Sequence, residues 1–97
     1  MANYTQLVPY EVTKNLCTIG FIDSRFAHAP LYAEVIDWLM EKGVVLNFSK
    51  KDNMWECEIC HDNKTTKKIV SDSFTSCADA AISFSVKMLR KKWGLDK

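Results

Sequence analysis

At Gly43 the spacing of apolar side chains along the chain changes from 3.6 residues to two. Upstream, in "PLYAEVIDWLMEKG", Leu31, Val35, Ile36, Trp38 and Leu39 recur at helical intervals, with Glu34, Asp37, Glu41 and Lys42 turned to water. Downstream, Val44, Leu46 and Phe48 alternate with Val45, Asn47 and Ser49, the period of a strand with one buried face. The two periods cannot belong to one kind of element, so the chain must combine helix and sheet. Pro30 suits the first helical position and Gly43 the position just past the end. With only three glycines and two prolines in the chain, each such break carries weight.

The same reasoning extends in both directions. In "VPYEVTKNLCTIGF", Pro9 and Gly20 bracket a short helix on which Val12, Leu16 and Ile19 form the apolar face and Glu11, Lys14 and Asn15 turn away. Residues 22–29 connect it to the next helix. After the first strand, "KKDN" is a turn, because Asp and Asn tolerate the backbone a tight reversal needs. Met54–His61 is a second strand, "DN" at 62–63 a second turn, and "KTTKKIV" a third strand at an edge, where lysines discourage stray pairing. A last helix follows, N-capped by Thr75 or Ser76, with Asp79 completing a weak capping box. Its buried stripe is Ala78, Ala81, Ile82, Ser85, Leu89 and Trp93. The expected fold is one α+β domain over residues 1–97, ordered α-α-β-β-β-α. It has two layers: a three-stranded antiparallel meander carries two helices on one face, and the short first helix caps an edge or one end.

Ninety-seven residues support one core, and 47% hydrophobic with 26% charged residues is ordinary globular composition. The longest uncharged runs, such as 15–22, are far short of the ~20 apolar residues that span a bilayer. "MANYTQLVPYEV" lacks a basic and then apolar export leader, so a cytoplasmic chain with reduced thiols is expected.

"WECEICH", residues 55–61, matches the pattern for covalent haem attachment, and its C-x-x-C core suits half a zinc site or a redox dithiol. Haem attachment requires export, for which no leader is seen, and strand alternation argues against the other two. Trp55, Cys57 and Ile59 share one face with His61, whereas Glu56, Glu58, Cys60 and Asp62 share the other. The acids seek water, so Cys57 faces the helices and Cys60 faces out. Both metal and redox sites need converging sulfurs. Cys57 and Cys77 are therefore expected as small core residues and Cys60 as a half-exposed thiol, with no metal and no cofactor. Cys60 and His61 make no nucleophile pair, since neighbours on a strand diverge. His28 stands alone in a loop, Glu56 and Glu58 read as the wet side of a strand, and Trp38, Trp55 and Trp93 read as core. No catalytic set emerges, and no enzyme is expected.

Charge is uneven along the chain. Residues 1–63 carry five Lys/Arg against nine Asp/Glu, and residues 64–97 eight against three. Lys64, Lys67, Lys68, Lys87, Arg90, Lys91 and Lys92 are therefore the candidate contact residues, for a protein partner or for nucleic acid. The α-β-β-β-α stretch, residues 30–93, resembles the topology of a double-stranded-RNA-binding domain. That family grips phosphates with lysines at the start of its last helix. Here "SFTSCADAA" holds Asp79 and no lysine, and the basic cluster sits at the other end.

The series "VPYEVTKNLCTIGF … PLYAEVIDWLMEKG … SFTSCADAAISFSVKMLRKK" resembles a group of small proteins from Bacteroidetes genomes and their phages. They share a helix ending in "GF", the "PLYxxVIDW" helix, strands and a terminal helix; the 21–30 segment is shorter here. The group has no established activity, so the resemblance implies the fold and a phage or mobile-element origin, and no site. The expected function is that of a small non-enzymatic accessory protein acting by protein–protein contact. The alternative is a nucleic-acid-binding module using the basic C-terminal third.

Overall fold

A computed structural model describes residues 8–17, 19 and 31–94, without the side chains of Tyr10, Asn15 and Cys17. Gly20, Pro30 and the 22–29 connection, all given roles above, lie outside the described residues. The order is α1 (Tyr10–Cys17), α2 (Tyr32–Glu41), β1 (Val44–Lys51), β2 (Met54–His61), β3 (Lys64–Ser71) and α3 (Phe74–Lys92). The strands form an antiparallel sheet in the order β1-β2-β3. α2 lies over β1, α3 over β2 and β3, and α1 packs against α3. This is the expected α+β arrangement, with helices on one face of the meander.

Each helix buries most of the stripe its sequence marks, with exceptions on α2 and at the end of α3. Val8, Val12, Leu16 and Ile19 are buried on and beside α1. On α2 the buried residues are Tyr32, Val35 and Leu39, while Ile36 and Trp38 pack partly exposed against the core. α2 begins with the Leu31 backbone N–H donating to Glu34 Oε1 at 2.8 Å, so a carboxylate reaches back to an otherwise unpaired donor. It ends where Gly43 takes φ +91°, a left-handed backbone that glycine adopts without strain.

Both connections within the sheet are two-residue turns, Asp52-Asn53 and Asp62-Asn63, and all four residues have positive φ between 53° and 66°. That is the conformation whose twist matches the strands it joins. β1 accordingly runs to Lys51, two residues further than the sequence suggests, and pairs with β2 along its whole length from Val44↔His61 to Lys51↔Met54. Val44, Leu46, Cys57 and Ile59 point into the core. Asn47, Glu56, Glu58 and Cys60 lie on the outer face.

α3 departs from expectation at both ends. Its N-cap is Ser73, whose Oγ accepts from the Ser76 N–H at 3.2 Å, and neither Thr75 nor Ser76 caps it. The helix starts earlier because Phe74 is drawn into its first turn. That ring, 2% exposed, packs on Tyr32, Phe48 and Trp55 with centroids 5.6, 5.0 and 5.2 Å away. At the other end Trp93 is the C-cap and 40% exposed, so it does not extend the buried stripe. Its neighbour Lys92 sits beside His61, the last residue of β2. Buried Ser85 is satisfied within the helix, donating to the Ala81 carbonyl at 2.8 Å. Among the described residues no helix is long and apolar enough to cross a membrane.

Candidate functional site

The two thiols of "WECEICH" project to opposite sides of the sheet, as alternation requires. Cys57 is fully buried, opposite Phe48 on β1 and Ile69 on β3. Burial first, then the neighbouring Cys77 and Cys60 thiols, push its pKa from 9.0 up to about 12. Burial also raises Cys77, whose Sγ lies 3.6 Å from the Ile69 carbonyl. Cys60 is half-exposed on the outer face, 3.9 Å from Asn47 Nδ2 and 3.8 Å from Thr65 Oγ1. Thr65 in turn donates to Glu58 at 2.9 Å. His61 lies at the far end of β2, its Nε2 3.2 Å from Lys92 Nζ and its Nδ1 3.7 Å from the Asp62 carboxylate. Among the described residues, no three His, Cys, Asp or Glu side chains converge as a metal ion would need.

The seven basic residues do not form one patch. Lys68 lies on the outer face opposite Glu58, with Nζ 3.7 Å from Glu56. Lys92 turns toward the end of β2 and reaches Asp62 at 3.8 Å. Lys64 starts β3 opposite His61, and Arg90 is half-buried. Lys67, Lys87 and Lys91 remain; Lys87 and Lys91 flank the gap between β3 and α3, and Lys67 lies next to it on β3.

That gap is built by two local features. The first is an irregularity in β3. Ile59 pairs with Lys67 and Cys60 with Thr65, so Thr66 is an extra residue with no partner on β2. Ile59 faces the helices, hence Lys67 starts from that side, and the bulge places Thr66 there as well. The second is the helical spacing of Phe84, Lys87, Met88 and Lys91, which sets all four on one face of α3. Thr66 and these four residues line an open groove of about 310 Å³. Phe84 and Met88 are half-buried against the core and form its apolar floor. Lys87 and Lys91 are exposed, and among the described residues no acid pairs with either of them or with Lys67.

Phe84 and Met88 were not singled out by sequence. Both lie off the fully buried stripe, and their only signal is an apolar i, i+4 pair interleaved with lysines. Thr66 was hidden for another reason: "KTTKK" has no apolar alternation to reveal a change of phase. No protein-family model, curated protein or solved structure matches the chain.

Proposed function

We propose that this chain is a small non-enzymatic accessory protein, of phage or mobile-element origin, that acts by protein–protein contact at the groove between β3 and α3. The observation that carries this reading is a half-buried apolar floor, Phe84 and Met88, rimmed by Lys87 and Lys91 beside an edge strand. Contact sites combine an apolar centre with a polar rim in this way. The alternative, nucleic-acid binding, draws on the same lysines. It is less well supported because Lys68 and Lys92 are already engaged with Glu56 and Asp62.

A photo-crosslinking side chain at position 91, compared with one at exposed Met40 on α2, tests the reading in cells that naturally express the protein. One discrete protein adduct from position 91 and none from position 40 is expected. Adducts from position 40 alone would place the contact elsewhere. Binding to duplex or single-stranded nucleic acid that weakens steeply between about 50 and about 200 mM salt, and falls in Lys91→Glu/Lys92→Glu, would favour the alternative.

A further inference from the structure

The contact reading leaves the chemistry of the occupant open. We infer that the groove takes an extended, acidic segment of another protein, added to β3 as a fourth strand. The inference rests on the groove being the contact surface and goes further, to the form and charge of what binds.

β3 ends the sheet, and its outer row of backbone donors and acceptors has no fourth strand among the described residues. A strand added there would lie about 4.8 Å outside β3 and place alternate side chains on the helix side. Those side chains would meet Phe84 and Met88, which form the floor immediately beyond Thr66. Backbone pairing would supply affinity, and the apolar floor would select the alternate residues. An eight-residue strand offers room for such pairing, although the Thr66 bulge interrupts its regularity.

Charge decides what the added strand must carry. Lys87 and Lys91 line the groove from the α3 side, and Lys67 follows the groove residue Thr66 on β3. An acidic segment would run alongside the two α3 cations, which no acid pairs with among the described residues. The lysines of β3 oppose a second copy of this chain, because pairing β3 with β3 sets Lys64, Lys67 and Lys68 against their counterparts. Lys87 and Lys91 form a poor track for a phosphate backbone, interrupted as they are by a half-buried phenyl ring and a thioether. The β3 lysines thus discourage self-pairing while the α3 lysines select the charge of the partner that is admitted.

The probe is a displayed library of random octapeptides, panned on the full chain and counter-selected on Lys87→Glu/Lys91→Glu. Both positions are exposed, and thermal melts will confirm that the double variant folds. Lys87→Gln/Lys91→Gln provides a milder second variant. Selected peptides should alternate acidic and apolar residues. Once synthesised, they should shift the amide resonances of β3 together with the Phe84 and Met88 side chains. Affinity should drop at least about tenfold in the charge-reversed variant and less in the neutral one. N-methylation of alternate peptide amides should abolish binding, while Lys50→Glu/Lys51→Glu on β1 should leave it unchanged.

Neutral, basic or helical peptides that shift Phe84 and Met88 would overturn the acidic-strand inference and leave the groove as a contact surface. Peptides that shift only β1 or α1, or no discriminating peptide at all, would overturn both. A single-stranded oligonucleotide that shifts the groove with steep salt dependence, where no peptide does, would overturn the inference in favour of phosphate binding. Concentration-dependent dimerisation that broadens β3 would reassign the edge to a second copy.

Discussion

The phenol of Tyr32, in the first turn of α2, donates a 2.5 Å hydrogen bond to the Asp79 carboxylate in the second turn of α3. Forty-seven positions separate them, so this contact clamps the two helices that cover the sheet. Burial raises the Asp79 pKa above 3.8, and the hydrogen bond from Tyr32 only partly offsets it. Folding therefore favours the protonated acid, and stability falls as pH rises from about 3.8 through the raised value. Asp79→Asn keeps an acceptor for Tyr32 and removes the buried charge. It should melt no lower than the parent at neutral pH, and the gap should close as pH drops toward 3.8. Tyr32→Phe leaves the carboxylate without its donor and should cost about 1.5–3 kcal/mol. Denaturant unfolding from pH 3 to pH 8 tests both variants.

Thiol chemistry should separate the faces of β2. Cys60 is half-exposed, whereas Cys57 and Cys77 are buried and their thiols are held protonated. An alkylating reagent applied to the folded protein should modify Cys60 quickly and reach Cys57 and Cys77 only through unfolding. Peptide mapping by mass spectrometry reads this directly. Rapid labelling of Cys57 would contradict the register of the middle strand. Because the Cys57 pKa is raised from 9.0 to about 12, stability should also decline as pH climbs above 9.

The turns predict a distinct pattern of tolerance. Asn53 and Asn63 both have φ 66°, which asparagine accepts and a β-branched residue does not. Asn63→Val should destabilise by about 1–2 kcal/mol, and Asn63→Gly should be neutral or better. Melting temperatures of the two variants suffice as the measurement.

Phe74 anchors the start of α3 among Tyr32, Phe48 and Trp55. Phe74→Ala should cost about 3–5 kcal/mol, and Ser73→Ala about 1 kcal/mol through loss of the cap. If Ser76→Ala were the more damaging of the two serine changes, the assigned cap would be wrong. Urea denaturation resolves these differences.

How legible the molecule was in its sequence varied with the physics of each part. Strand phase was open to reading in β1 and β2 because Val44, Leu46, Phe48, Cys57 and Ile59 alternate with polar residues. The turns were open because Asp-Asn pairs mark positive φ. The start of α3 was not, since Phe74 looks like part of a polar connection until its aromatic neighbours arrive from α2, β1 and β2. Tyr32 was obscured for a similar reason, its partner being on another helix. At the groove, lysines were visible as a charge excess, but their division among three places depends on side-chain direction, which composition does not encode.

The unpaired Thr66 has a consequence at the level of the gene. β2 and β3 pair normally on both sides of it, with Cys60↔Thr65 before and Ile59↔Lys67 after. Loss of the Thr66 codon would join these into one continuous ladder without moving a partner. Loss of a codon from the interior of β1 or β2 would shift part of that strand by one and turn its side chains to the wrong face. Both turns are already at two residues and have little length to give up. A single-codon deletion scan across residues 44–71 should therefore find Thr66 the best tolerated position: at that one point, the reading frame of the sheet has slack.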